Sequence, residues 1–310
     1  MSRLVTHTDL DGIVSGALIY AMHPFSDIEM TDYKWIDHKQ ANHRFRFLED
    51  DTVVDLPMPD IDVRFWADHH PTGFRHSTPT YDYLYDQHAP SCARLIYDNF
   101  VRQHDHLKKY EGLVIDTDMV DSARYKTIDD VHDLSRYGVM LNLAIYVGPM
   151  DFNNRFMKPD LIRRIATEPW KQVLDNPLLH MMAEYNVEQH RVYEEDVKRY
   201  LRMEGNTVVQ DTGGRRVKGS LSRFASFMHF PDSLYQLIIQ KKYERYKLIF
   251  SENPFIYSHP RNVHLGEFAA RLTPGGGGHK AIGQTKEIEP KEFPKKLRFV
   301  LDTLNSITSD

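Results

Sequence analysis

An α/β protein is predicted, with an N-terminal mostly parallel sheet flanked by helices, a linker helix, and a smaller C-terminal α/β domain. Three observations lead there. Short apolar runs alternate with helical stretches over the first third of the chain, the signature of parallel strands joined by helices. A long amphipathic, charged stretch with few turn formers occupies 177–203. Strand-like alternation resumes after Gly205-Asn206. A length of 310 residues suits two domains at roughly 100–200 residues each. The divisions expected are 1–190, a linker-helix end at 191–205, and 206–310.

The apolar run 3–6 reads as a strand, followed by a polar loop and a helix over 12–20. Strands are expected around 28–33, 52–54 and 64–67, with a helical stretch near 40–47 between two of them. Helices are expected over 91–103, 128–147 and 159–167, and a connecting helix over 177–203. The second domain reads as strands at 207–210, 235–239 and 246–250 and a helix at 263–272. A glycine run, a strand at 281–288 and a last helix at 293–307 complete it.

Composition narrows the possible functions. Hydrophobic residues make up 41% and charged residues 27%, as in a soluble globular protein. No apolar run approaches the roughly 18 residues of a transmembrane helix, so no membrane partner is expected. The start Met1-Ser2-Arg3, with Asp9 and Asp11 close behind, leaves no room for a secretory h-region, so a cytoplasmic location is expected. A single cysteine, Cys92, excludes an intrachain disulfide framework and a cysteine-rich zinc site. Metal chemistry would have to run on histidine and carboxylate. Net charge is -5, but residues 1–190 hold 19 Lys/Arg against 30 Asp/Glu, while 191–310 hold 20 against 14. The asymmetry fits ordinary drift between domains, and it also fits an acidic half gathering cations beside a basic half receiving an anion. Eleven of the 17 histidines precede residue 133, on the acidic side.

Four acidic or histidine clusters lie at, or just after, the C-terminal ends of expected strands, the edge where open α/β sheets bind ligands. They are Thr6-His7-Thr8-Asp9-Leu10-Asp11-Gly12, Val53-Val54-Asp55-Leu56-Pro57, Trp66-Ala67-Asp68-His69-His70-Pro71 and Val114-Ile115-Asp116-Thr117-Asp118. In an extended loop His7, Asp9 and Asp11 would project to one side, offering a nitrogen and two carboxylates to a cation. Singly, each cluster also reads as a turn former or helix cap.

Together these clusters resemble, in order, the four motifs of the DHH phosphoesterases, with Asp68-His69-His70 as the naming triplet. Thr273-Pro274-Gly275-Gly276-Gly277-Gly278-His279-Lys280-Ala281-Ile282-Gly283 is similar to the glycine–histidine signature of the type 1 DHH-associated domain. The resemblance spans nearly the whole chain. It implies one metal held by His7, Asp9 and Asp55 and a second held by Asp11, Asp55, His69 and Asp116, with Asp55 bridging. The expected cofactors are two Mn²⁺, with Mg²⁺ or Co²⁺ as substitutes. Asp68 would orient a ligand or hold the loop, and His70 would face the substrate phosphate. The glycine loop Gly275, Gly276, Gly277 and Gly278, with His279 and Lys280, would face the metals across a cleft and grip the part of the substrate remote from the scissile phosphate. Arg261 in Tyr257-Ser258-His259-Pro260-Arg261-Asn262 is the candidate phosphate clamp, one place later than the family's Ser-x-Arg pattern puts it. For Tyr257, Phe255 and Tyr125, packing is favoured over base stacking.

The glycine–histidine motif distinguishes the chain from the manganese pyrophosphatases of this superfamily, and its length from the long single-strand exonucleases. The expected activity is hydrolysis of short linear oligonucleotides, chiefly 5′-phosphorylated dinucleotides such as pGpG, to mononucleotides. The alternatives are a phosphatase of 3′,5′-bisphosphonucleosides, a cyclic dinucleotide phosphodiesterase, and a non-enzymatic nucleotide-binding regulatory module. The partner expected is a short linear RNA dinucleotide rather than a long nucleic acid, because +6 over 120 residues is modest for a long-strand binder. A homodimer is left open.

Overall fold

The computed structural model describes residues 2–32, 45–70, 81–256 and 263–307. It divides into two compact units, Met1–Tyr125 with Asp129–Asn186, and Lys126–Ile128 with Val187–Asp310.

The first unit is built on a five-stranded sheet in the order β2-β1-β3-β4-β5, parallel throughout. The strands are β1 Arg3–His7, β2 Asp27–Thr31, β3 Asp51–Val54, β4 Phe65–Asp68 and β5 Asp82–Tyr85. The central strands are apolar on both faces, with Leu4, Val5, Val53, Val54, Trp66 and Ala67 all fully buried, as a parallel sheet covered on both sides requires. Trp66 donates its indole N–H to the Leu56 carbonyl at 2.8 Å and stacks on Tyr85. Helix α1 (Leu10–Met22) packs against α2 (Cys92–Phe100) and against the later helix Lys158–Thr167. Between these come α3 (Glu111–Asp121) and α4 (Tyr137–Ala144), with α5 being Lys158–Thr167.

Several elements differ from expectation. The stretch 128–147 is not one helix. A short 3₁₀ turn at Asp129–His132 is followed by a turn in which Asp133 accepts from the Ser135 N–H at 3.0 Å, and α4 starts only at Tyr137. Aspartate and serine compete locally with helical hydrogen bonding. The fourth acidic cluster lies within a helix, α3, and not at a strand end. Strand β5 carries no clear signal in the sequence, because it is a half-exposed edge strand with little apolar alternation. The helical stretch expected near 40–47 falls largely outside the described residues.

The connecting helix α6 (Pro177–Val197) ends before the expected 203, where a 3₁₀ turn leads into strand β6 (Leu201–Glu204). Residues 201–204 therefore belong to the second unit's sheet. That sheet is mixed, ordered β10-β11-β9-β8-β7-β6, with β7 Thr207–Asp211, β8 Tyr235–Lys242, β9 Arg245–Glu252, β10 Gly277–His279 and β11 Ile282–Gln284. Only β7 and β8 pair in parallel. One face, through Val209, Leu237, Ile239, Leu248 and Phe250, packs on the helices Leu265–Leu272 and Phe293–Ser306. No helix among the described residues is long and apolar enough to cross a membrane.

Candidate metal centre

Parallel register assembles the centre. Thr6 of β1 is aligned with Val54 of β3, and Val54 with Ala67 of β4. One residue further along, His7, Asp55 and Asp68 emerge together at the C-terminal edge. Asp55 has φ of 55°, a left-handed conformation that an aspartate tolerates better than most residues. It is anchored by its N–H on the Ala67 carbonyl at 2.9 Å.

The donor atoms fall into groups whose members lie within 4.8 Å of one another. His7, Asp9 and Asp55 form one. Asp11, His69 and Asp121 form another, and Asp55, His69 and His70 link the two. His7 Nδ1 lies 2.8 Å from Asp9 Oδ2 and 3.5 Å from Asp55 Oδ2. His69 Nε2 lies 3.3 Å from Asp121 Oδ2, 3.5 Å from Asp11 Oδ2 and 3.9 Å from Asp55 Oδ1.

His7, Asp9 and Asp11 do not line one side of an extended loop. Asp9 is the N-cap of α1, accepting from the Gly12 N–H at 3.0 Å. Asp11, already in the first helical turn, accepts the Cys92 and Ala93 N–H groups that open α2, at 2.7 and 2.8 Å. One short helix start thus serves both groups.

Asp116 is not brought to the centre. Arg136 donates to its Oδ1 at 2.7 Å and the Gly138 N–H to its Oδ2 at 3.0 Å, so it ties α3 to the start of α4. A Cβ at position 138 would sit 2.4 Å from the Asp116 Cβ, so only glycine permits this contact. At about 100° per helical residue, Asp116, Asp118 and Asp121 of α3 point apart. Asp118 binds Ser91 and Arg94, and Asp121 reaches His69.

Asp68, fully buried, accepts at Oδ1 from the His69 N–H at 2.8 Å, from the His70 N–H at 3.2 Å, and pairs with His70 Nδ1 at 2.8 Å. It therefore sets the His70 ring. His69 Nδ1 lies 3.0 Å from the Ala89 carbonyl. A carbonyl can only accept, so Nδ1 carries the proton and Nε2 presents its lone pair to Asp11, Asp55 and Asp121.

Electrostatics match a site shaped for cations. Burial opposes a charged His7, yet Asp9 and Asp55 push its pKa up to about 11. Burial would raise Asp9, but His7 holds it well below the carboxylate range. Burial, then the charges of Asp11 and Asp9, raise Asp55 well above that range. Asp11 is raised chiefly by burial, as is Asp68, to about 7. Burial and the neighbouring His69 hold His70 well below the usual imidazole value. Crowded carboxylates in a dry pocket repel one another until a cation neutralises them. Four carboxylates and oriented imidazoles form a hard oxygen and nitrogen donor set that fits divalent cations.

Sequence reasoning did not find Asp121 or Lys158. Lys158 is fully buried, and its Nζ donates to the Thr8 carbonyl at 2.6 Å. No local pattern marks either residue. Their roles follow from helix phase and from a contact that spans 150 residues of chain.

In the second unit, Gly275 and Gly278 have φ of +78° and +145°. A Cβ on Gly278 would lie 2.2 Å from the Ile282 carbonyl, so the β10–β11 hairpin closes only over glycine. Gly276 packs as tightly on the Ala269 carbonyl, whereas Gly277 faces open space. Lys280 is exposed, and its carbonyl accepts from the Leu265 N–H. His279 pairs with Ile282 in the hairpin, while its side chain, and Tyr257 and Arg261 entirely, lie outside the described residues. Tyr125 is buried and Phe255 packs edge-on to Phe224, which are packing roles.

No family model matches the sequence. No curated protein matches it either. Solved structures do match, and they show the fold, which is that of proteins containing a DHH domain. A DHH domain described as belonging to a member of a ribosomal-protein family aligns with a TM-score of 0.56 and 15% identity, over 99% of this chain and 87% of that one. RecJ of Thermus thermophilus, solved with Mn²⁺, aligns at 0.55 and 14%, over 99% of this chain and 52% of that one. Greater similarity is found to the pGpG-specific phosphodiesterase PggH of Vibrio cholerae, with a TM-score of 0.73 and 20% identity, over 99% of this chain and 100% of that one.

Proposed function

We propose that this chain is a metal-dependent phosphodiesterase that hydrolyses short linear oligonucleotides, chiefly 5′-phosphorylated dinucleotides such as pGpG, to mononucleotides. The observation that carries the reading is the pair of donor groups, His7/Asp9/Asp55 and Asp11/His69/Asp121, joined through Asp55. These six residues would hold two divalent cations, Mn²⁺ in our assignment. When bound, such a pair supplies an acidified water and neutralises the phosphate oxygens during in-line attack.

The chain's own residues arrange the rest. The Ala89 carbonyl keeps His69 in the tautomer that offers Nε2. Asp68 fixes the His70 ring, to which we assign the contact with the scissile phosphate. The glycine–histidine loop 275–280, with its two positive-φ glycines and Lys280, is assigned the nucleotide remote from the scissile bond. The dinucleotide class is supported by the likeness to a phosphodiesterase specific for pGpG.

Substrate length tests the reading. Binding energy from a remote nucleotide serves to position the reacting phosphate, so a mismatch there lowers turnover and not affinity alone. Purified protein with Mn²⁺ is assayed against pGpG, pApA, cyclic di-GMP, a ten-nucleotide RNA and 3′-phosphoadenosine 5′-phosphate. The kcat/KM is expected to fall from linear dinucleotide to longer RNA and further for the cyclic form. Equal or faster hydrolysis of the decamer, the cyclic dinucleotide or the bisphosphonucleoside overturns the assignment.

A further inference from the structure

Lys158 is a lysine with no exposed surface, at the first residue of α5. Burying an ammonium is costly unless it is paired. Here the partners are the Thr8 carbonyl at 2.6 Å and Asn154 Oδ1 at 2.8 Å. The acids whose charges act on it are Asp9 and then Asp32, and the Tyr146 ring lies 5.3 Å from Nζ. Asn154 belongs to the wide π-turn Asn153–Met157 that leads into α5, a local geometry that recurs at functional sites. The approach of α5 to α1 is close, with the Ile162 Cδ1 only 3.2 Å from where a Cβ on Gly16 would be. That packing delivers Lys158 to the residue lying between His7 and Asp9.

We propose that Lys158 is a positioning residue for the metal-binding arc His7-Thr8-Asp9. By clamping the Thr8 carbonyl it sets the spacing of the two flanking side chains, and so the affinity of the site they form with Asp55. It touches neither cation nor substrate. The proposal rests on the metal-dependent reading above. It differs in sign from two simpler roles. A lysine that only fills the core could be exchanged for methionine with little effect on metal binding, since apolar replacement of buried charge is often neutral. A lysine that only repels the cation would, when removed, let the cation bind more tightly.

The test is Mn²⁺ binding to the full chain, followed by calorimetry and by electron paramagnetic resonance, with the thermal midpoint of the metal-free protein measured alongside. The parent chain is expected to bind two Mn²⁺ and to show the exchange-coupled signal of a pair. Lys158→Met should weaken one of the two sites by about 10- to 100-fold, the usual effect of losing a residue that orients a ligand. The other site should change by less than about threefold and the coupled signal should give way to that of isolated Mn²⁺. Asn154→Ala, which leaves the lysine one acceptor short, should weaken the same site by a smaller factor, and it carries the test if Lys158→Met does not fold. Unchanged binding in the folded variants, tighter binding, or equal weakening of both sites overturns the proposal while the metal centre stands. A parent chain that binds no Mn²⁺ overturns the metal-dependent reading and this proposal with it.

Discussion

The carboxylate edge of the parallel sheet and the glycine hairpin of the mixed sheet are built on opposite principles. At the edge, strand and helix ends carry unusual side chains, four aspartates and two histidines, on backbone that is regular apart from the left-handed Asp55. In the hairpin the backbone itself is unusual, and Gly276 and Gly278 are demanded by carbonyl groups within 2.4 Å of any added Cβ. Substitutions at the edge should therefore remove chemistry and spare the fold. Substitutions in the hairpin should damage the fold locally and leave the metal chemistry in place.

The largest effect is expected at Asp55, which belongs to the His7/Asp9 group and lies 3.9 Å from the His69 Nε2 of the other. Asp55→Ala should lower kcat/KM by at least about a thousandfold, because charge neutralisation and nucleophile generation fail together. Circular dichroism should remain native. An active variant that still binds two cations would break the edge side of the comparison.

Gly278→Ala tests the other side. Positive φ and a backbone clash should together cost about 2–5 kcal/mol, read as a lower urea midpoint for the second unit, with turnover of pGpG reduced and metal content unchanged. Loss of metal would refute the division of labour.

Asp121 and Asp116 sharpen it within the first unit. Asp121→Asn should weaken one cation by about 10- to 100-fold with little change in stability. Asp116→Asn should spare the metals and cost about 1–3 kcal/mol by disturbing the Arg136 and Gly138 contacts. Metal titration and thermal melts on the two variants distinguish these outcomes, and an exchange of the two phenotypes would restore Asp116 as the ligand.

The effect of pH, taken one unit at a time, is milder than loss of a ligand. His7, pushed up to about 11, carries its proton at neutral pH in the metal-free chain. A cation must displace that proton, so binding releases at least one proton, and raising the pH removes the competitor. Affinity should rise about tenfold per pH unit between about 6 and 8. Calorimetry in two buffers of different protonation enthalpy would detect the released proton, and its absence would contradict the charged state of His7.

How far these features are legible in the sequence follows from how local each one is. The alternation of apolar runs with helices announces the parallel sheet, and a parallel sheet has one ligand-binding edge, so His7, Asp55 and the Asp68-His69-His70 triplet can be placed at strand ends before any coordinates. Asp116 is misplaced by sequence reasoning because the segment 114–118 reads equally well as the end of a strand, and within a helix three nearby acids differ only in phase. The stretch 128–147 looks continuous because the Asp133 turn interrupts it without a glycine or proline. The hairpin glycines suggest anion binding, whereas two of them are needed first for packing.

By itself, then, the order of residue types determined the fold class and the sheet edge at which His7, Asp55 and Asp68 gather, because strand polarity, turn chemistry and the acid–base character of side chains act within a few residues. Only the tertiary structure decided that Asp121 and not Asp116 reaches His69, that Asp11 receives the Cys92 N–H, and that a lysine 150 residues downstream donates to the Thr8 carbonyl. Those choices depend on helix phase and on the close packing of distant helices, where a few ångströms decide which of several chemically equivalent groups arrives.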